Sequence, residues 1–457
     1  MNKNLDKGPL LPLLIKFSIP STIAVLINII YNITDRYFIG QSIGRYGMSA
    51  LSIVFPLILL INGTALMFSV GGGALAGIRL GERRKDEAEK VLGTTIFWLF
   101  IIGIVYTLGI ITFLKPLLGI LGGTEGNIAY ALEYSRWLFP AIPAQMLYVV
   151  FCAFLRTDGR PNYSMAMNLC SAFVNMFLDY IFIMKMGMGM KGAALATAIA
   201  TLLPAAYLLV YFLRSKTFKL RLVNMRVNLP IISKLLSIGS SAFFNQLLNG
   251  VMVFIMNRQL LSYGGDLALA AIGIITTIRS FINTSFIGFN HGRQPILSFN
   301  YGAKNYARVR KTFILSSKII LTISMTFVVI VMINAKGISG FFLGDDEKLI
   351  NFTGWAIRRH LFLMMATALY LTCANYFQAV GKGNITTKLL TLRLLVLNIP
   401  LLYILPQWFG LLGILIAFPI SDGIASVVAS VFMYKEVKGL EDKVKKKTSS
   451  LSEGLSL

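Results

Sequence analysis

Long apolar stretches recur along the whole chain, separated by short polar punctuation. A helix needs about 20 residues to cross the hydrocarbon core of a bilayer. Twelve stretches meet that requirement: residues 11–35, 47–78, 91–114, 132–155, 162–184, 192–213, 235–257, 267–291, 312–334, 356–380, 388–406 and 409–433. The runs are continuous and do not alternate with period two, which argues against strands. Glycine, with 40 residues, is common inside the spans, as expected where bilayer helices approach closely. The first apolar stretch is too long for the apolar core of a signal peptide and lacks a small-residue cleavage site, so it is expected to remain as helix 1.

Composition agrees with the pattern. Of 457 residues, 56% are apolar and 14% charged, against about 25% charged in an average soluble domain. An ordinary soluble domain, a disordered chain and a disulfide scaffold are thereby excluded. The net charge of +24, from 43 Lys+Arg against 19 Asp+Glu, would suggest nucleic-acid binding in a soluble protein. Sorted by loop, it does the opposite. One set of segments holds Lys3, Lys7, Arg79 to Lys90, Arg156, Arg160, Arg214 to Lys234, Arg293 to Lys318, Lys382, Lys388, Arg393 and the tail from Lys435 to Lys447. These carry about 30 of the basic residues, and the alternate loops about 11, which the positive-inside rule reads as two cytoplasmic termini and an even number of spans. The alternate loops also carry Glu125, Glu133, Asp266, Asp345, Asp346 and Glu347. Trp137, Trp355 and Trp408 fall at predicted outer ends, as an interfacial belt requires. The cluster Lys443–Lys447 reads as a tail facing anionic lipid, not as a nucleic-acid site. Cys152, Cys170 and Cys373 lie within spans and read as small packing residues.

Self-comparison divides the chain. Ser18-Ile19-Pro20-Ser21 recurs as Ser237-Ile238-Gly239-Ser240, and Gly81 as Gly302-Ala303-Lys304. Gly159-Arg160-Pro161-Asn162 recurs as Gly381-Lys382-Gly383-Asn384, and the stretch Asn175 to Tyr180 is echoed by Asn398 to Tyr403. The offset stays at about 220 residues, the mark of a transporter built from parallel repeats. The fold class expected is an all-α integral membrane protein of twelve transmembrane helices, in two six-helix lobes related by this repeat. Residues 1–213 form the first lobe, 214–234 a cytoplasmic linker, 235–434 the second lobe and 435–457 a basic cytoplasmic tail. A cavity between the lobes and alternating access by rocking follow from such an arrangement.

Carboxylates inside a membrane are costly and are functional candidates by default. Three stand out: Asp35, Asp179 and Asp422. Asp35 shares a helix face with Tyr31 and Asn28, and Asp179 with Asn175. Two carboxylates flanked by amide and hydroxyl groups can hold H⁺ or Na⁺. Asn175 has its echo in Asn398, but Asp179 aligns with Leu402 and Asp35 falls near Phe254–Met256. The frame is shared by both halves and these carboxylates belong to the first, which favours a function for them. Asp422 in helix 12 and Arg279 in helix 8 can pair as a structural ion bridge. His291 and His360, near helix ends, read as interfacial. Gly71-Gly72-Gly73 lies within a span and reads as helix packing. No phosphate loop, nucleophile triad or metal-ligand spacing occurs. The 19 Met, 32 Phe and 18 Tyr suit flexible recognition of cationic, amphipathic compounds, beside their ordinary use in packing.

With these residues in view, the chain resembles the multidrug and toxic compound extrusion (MATE) transporters over nearly its whole length. The resemblance rests on Ser18-Ile19-Pro20 and on Asp35 within Asn32-Ile33-Thr34-Asp35-Arg36-Tyr37-Phe38-Ile39-Gly40. It rests also on Asn175 and Asp179 followed by Gly192-Ala193-Ala194-Leu195-Ala196-Thr197, on Arg279, and on Pro295 with Asn300-Tyr301-Gly302-Ala303-Lys304-Asn305. It implies a two-lobed V shape and antiport of organic compounds against H⁺ or Na⁺, in a bacterial plasma membrane. It implies coupling at Asp35, Asn175, Asp179 and Thr197, with a bend of helix 1 at Pro20. Another branch of the family places acids in helices 7 and 10. Here those helices offer Asn245, Asn249, Cys373, Asn375 and Gln378, so no second-lobe cation site is expected, and Asn245 and Asn249 remain structural or substrate-facing candidates. No cofactor, nucleic acid or obligate protein partner is implied. Two other readings compete. A flippase for lipid-linked saccharides needs a cationic cavity for pyrophosphate, with Arg279 as its candidate. A membrane-embedded lipid-processing enzyme needs clustered acids, His or Ser, which two His and sparse acids do not supply.

Overall fold

The computed structural model describes residue 5 and residues 8–215, 218–343 and 346–453. Lys3, Lys7, Lys216 and Asp345, part of the charge pattern above, lie outside the described residues, as do the side chains of Asp266, Lys446 and Lys447. Among the described residues, twelve helices are long and apolar enough to cross a membrane. They are α1 (Leu10–Ile43), α2 (Arg45–Gly81), α3 (Lys85–Thr112), α4 (Ile128–Thr157), α5 (Pro161–Lys185) and α6 (Gly189–Arg214), then α7 (Leu229–Gly265), α8 (Ala271–Gly302), α9 (Tyr306–Ile333), α10 (Glu347–Ala379), α11 (Gly383–Phe409) and α12 (Leu411–Lys445). No strand occurs among the described residues.

The helices outrun the apolar stretches. Nothing after Asp35 breaks α1 until Gly44, whose φ of 73° is a left-handed stop suited to glycine. At its other end, α12 continues as helix through Lys435 to Lys445, a stretch of good helix formers. Lys382 pairs there with Glu436 at 2.5 Å and Arg310 with Glu441 at 2.6 Å. The basic segment is thus docked where it leaves the bundle. Within α1 the helix runs unbroken through Pro20, and just after it Ser21 and Thr22 donate their hydroxyls to the carbonyls of Phe17 and Ser18, both at 2.8 Å, the back-bonding usual for such residues in helices.

The two lobes are built alike. Arg83 and Lys304 both turn the chain at positive φ, 62° and 54°, and Gly159 and Gly381 do so at 81° and 79°. Each lobe has its own apolar core, one around Phe139, Phe151 and Phe212, the other around Phe286, Tyr370 and Phe377. Between bilayer helices such contacts act mainly by dispersion and close fit.

The lobes meet along α1, α2, α7 and α8. The closest approach is reciprocal. A Cβ on Gly81 would stand 2.0 Å from the carbonyl oxygen of Phe299, and one on Gly302 would stand 2.0 Å from that of Ile78. Only glycine permits either. Gln294 adds a bond from α8 to the Val70 carbonyl at 3.1 Å, and Ser18 one from α1 to the Phe289 carbonyl at 3.2 Å. All of this lies toward the bundle end that carries both chain termini, here called the terminal face.

The segment between the lobes is docked on the first of them. Phe218 and Leu220 are buried in its core. Glu89 of α3 accepts from the Lys219 backbone N–H at 3.1 Å and pairs with Arg221 at 2.8 Å.

Several sequence expectations are corrected. Arg293 and Arg393 are not loop cations: both are buried within helices. Arg293 donates to Ser316 Oγ at 3.0 Å and to the Thr372 carbonyl at 2.7 Å. A charged residue near the end of an apolar stretch reads as loop on hydropathy alone, but here the helices run past it. His360 is buried, not interfacial. Cys170 is exposed on the bundle surface, whereas Cys152 and Cys373 are buried as expected.

Candidate cation and substrate site

Asp35 and Asp179 come together in the first lobe. Asp35 sits late in α1, and Asp179 in α5 within electrostatic reach of it. Asp179 is fully buried and Asn175, one turn earlier, nearly so. Directly after Asp179 the helix loosens into a π turn over Tyr180–Lys185, a local widening often found at functional positions. Asn175 Nδ2 donates to Thr197 Oγ1 of α6 at 3.3 Å. This orients its amide oxygen away from Thr197. That oxygen, both carboxylate oxygens of Asp179 and Oδ1 of Asp35 are buried without a hydrogen-bond partner in the protein. Four oxygen atoms of three side chains are thus left unsatisfied around two interacting carboxylates, a donor set able to share a proton or take a small cation.

Tyr134 of α4 completes the group and was not foreseen. It is buried and stands against Thr197 within reach of Asp35, Asp179 and Tyr31. In the sequence a tyrosine near the start of a span is indistinguishable from a belt residue.

A cavity of about 310 Å³ adjoins this group. Tyr31, Asn175 and Thr197 form part of its wall, while Asp35 and Asp179, one turn further along α1 and α5 than Tyr31 and Asn175, are outside the lining. The three shared residues therefore connect the carboxylates to whatever the cavity holds. Amides dominate the polar lining: Asn28, Asn62, Gln145, Asn168 and, from the second lobe, Gln246. Gln145 donates to Asn62 across α4 and α2 at 3.3 Å. Methionine contributes none of the lining, contrary to the flexible surface expected from its abundance. His291 lines the cavity rather than an interface.

The other candidates lie apart. Asp422 is held by Arg393 Nε at 2.6 Å and Arg279 Nη2 at 3.4 Å, and Thr367 donates a third bond to it. Arg279 also reaches His360 Nε2 at 3.2 Å, while His360 Nδ1 donates to the Leu415 carbonyl at 2.9 Å. Arg279 and Arg393 lie over the rings of Phe418 and Tyr370. The expected pairing of Arg279 with Asp422 is present, but Arg393 makes the shorter contact. Asn249 donates to Asn245 at 2.7 Å, and neither lines the cavity. Among the described residues no group of three or more His, Cys, Asp or Glu is placed to hold a metal ion.

The sequence profile of the MatE family matches residues 20–181 and 241–404, one segment in each lobe. The chain belongs to the MatE family. Its matched segments begin about 220 residues apart, as parallel repeats require. Among similar proteins, the "Multidrug export protein MepA" of Staphylococcus aureus (strain MSSA476) is 27% identical over 453 residues, 98% of each chain. That of Staphylococcus saprophyticus is 26% identical over 430 residues, 94% of each chain. Among solved structures, the "Outward-facing conformation of a multidrug resistance MATE family transporter of the MOP superfamily" matches with a TM-score of 0.90 at 22% identity, covering 96% of this chain and 98% of that one. The protein is thus a MatE multidrug efflux transporter, multi-pass in the membrane, coupled to an ion gradient and not an enzyme.

Proposed function

We propose that Asp35 and Asp179 bind the coupling cation, H⁺ or Na⁺, with Asn175, Thr197, Tyr31 and Tyr134 as its polar surround. The observation that carries this reading is the shared wall. Tyr31 and Asn175 line the cavity one helical turn before Asp35 and Asp179, and Thr197, also in the lining, accepts from Asn175, so loading the cation reshapes the space available to an organic substrate. Cation and substrate then compete through three side chains, which is what antiport requires. The terminal face is cytoplasmic by its excess of basic residues, and the membrane is a bacterial plasma membrane. Residues 1–213 and 235–434 are the two moving bodies. Pro20, with no backbone bond of its own to break, lets α1 bend between cation-bound and cation-free states. Small organic compounds are the cargo, and no protein partner is needed for the cycle.

The flippase reading loses Arg279 as its candidate, because Arg279 is tied to Asp422 and does not line the cavity.

Purified protein in proteoliposomes, under separately imposed ΔpH and Na⁺ gradients, tests the reading. One gradient is expected to drive efflux, and Asp35→Asn to abolish that drive in an inserted, folded protein. Efflux by Asp35→Asn that still follows the gradient would overturn it.

A further inference from the structure

The charge of the cavity has the unexpected sign for a carrier of simple organic cations. Of 22 residues lining it, Arg156 is the single one among Lys, Arg, Asp and Glu. Arg156 lies in the last turn of α4, and its Nη1 donates to Ser164 Oγ at 3.2 Å. Among the described residues no carboxylate comes within ion-pair distance of it. The titratable groups beside it are Cys152 and Tyr148. His291 of α8 lines the same end of the cavity, also within reach of Arg156.

The remaining intramembrane arginines are handled otherwise. Arg279 and Arg393 share Asp422. Arg293 is closed in by Ser316 and the Thr372 carbonyl and is fully buried. Arg156 alone combines a cavity-facing position with the absence of a counter-charge. A guanidinium presents five donors in a planar fork that matches a carboxylate. Held in a low-dielectric cavity, that fork interacts strongly with an incoming anion.

We infer that Arg156, assisted by His291, is an anion-binding pole for the exported compound, and that the preferred cargo is zwitterionic, with a carboxylate at one end and a cationic or polar group at the other. The opposite end of the cavity, at Tyr31, Asn175 and Thr197, is the one backed by Asp35 and Asp179. Ser164, which Arg156 contacts, and Asn175, one turn before Asp179, stand eleven positions apart on α5, or about 16 Å of helix. The cavity is therefore dipolar along its length, and a zwitterion of matching span aligns with it. This inference rests on the cavity being the substrate site of the proposed antiport cycle.

A matched pair of fluorescent probes tests it: a rhodamine-type dye with a free carboxylate, and its ethyl ester, which keeps the cation and loses the anion. Binding to the full chain in nanodiscs is measured by anisotropy, and efflux in proteoliposomes by dye release. The acid is expected to bind more tightly than the ester by about tenfold or more, the scale of one charge-assisted pair. Arg156→Gln should remove most of that preference by weakening the acid, and Arg156→Lys should restore part of it. Equal affinity of acid and ester for the native protein would overturn the proposal. So would an Arg156→Gln variant that folds normally and loses both probes equally, since that marks a structural role in joining α4 to α5 through Ser164. Asp35-dependent efflux of the ester, with no preference for the acid, would sink the anion pole and leave the antiport reading standing. Binding of neither probe would overturn the substrate cavity itself, and this inference with it.

Discussion

Arg393 Nε stands 2.6 Å from Asp422 Oδ1, so this intramembrane acid of the second lobe is neutralised within its own lobe, while Asp179 of the first lobe meets no cation among the described residues. The two lobes share a frame but not a chemistry. Asp422 is a crosslink of α8, α10, α11 and α12 through Arg279, Thr367 and Arg393. Its loss leaves two buried arginines without their carboxylate. Asp422→Ala is expected to destabilise the protein by about 3–5 kcal/mol, the usual result of removing one partner of a buried pair. Thermal unfolding in detergent measures this. Coupling stoichiometry in the surviving folded fraction should be unaltered.

Tyr134 offers a milder test of the first-lobe site. Tyr134→Phe keeps the buried ring and removes the hydroxyl that stands against Thr197. The coupling-ion concentration for half-maximal efflux should rise roughly tenfold, the low end for losing a supporting group around a bound ion. An unchanged half-saturation would separate Tyr134 from the site.

Cysteine labelling reports on the cavity directly. Cys152 lines it, Cys170 is exposed outside it, and Cys373 is buried away from it. In a Cys170→Ser background, a small membrane-permeable thiol reagent is expected to modify Cys152, and bound substrate to slow that modification. Mass spectrometry of the intact chain, with and without substrate, gives the answer. Equal labelling in both conditions would remove substrate from this cavity.

The reciprocal glycines make a paired prediction. A side chain at Gly81 collides with the Phe299 carbonyl, and one at Gly302 with that of Ile78. Gly81→Val and Gly302→Val should therefore hold the terminal face apart to a similar degree, though each alters a different lobe. Spin labels placed across that face should report comparably increased separations. A defect in one variant alone would contradict the exchange of positions.

Span number, helical class and the two-fold repeat were legible because each depends on long-range regularity: twelve apolar runs and four recurring motifs. Asp35, Asn175, Asp179 and Thr197 were legible because polar groups in apolar helices are few and their spacing fixes a face. What lay beyond reach depended on which helix meets which. Arg156, Arg293 and Arg393 each sit near the edge of an apolar run, where hydropathy cannot tell a loop cation from a buried one. His360 has its place from Leu415 and Arg279, partners 55 and 81 residues away. Tyr134 required knowing that its end of α4 packs on α6, where Thr197 stands. The repeat located the glycines but not their contact, since sequence equivalence carries no information on which surfaces touch.

The docking of residues 218–225 onto α3 sets a mechanical limit. Met225 packs against the first-lobe core and α7 begins at Leu229, leaving Arg226, Val227 and Asn228 as the whole leash between the two lobes proposed to move. Fully extended, such a stretch spans about 14 Å. At this corner the lobes can therefore part by no more than a few side-chain widths unless Phe218 and Leu220 first leave their sites. The rest of the opening must come from rotation about this tethered edge, which makes the swing of the lobes asymmetric even though their folds are not.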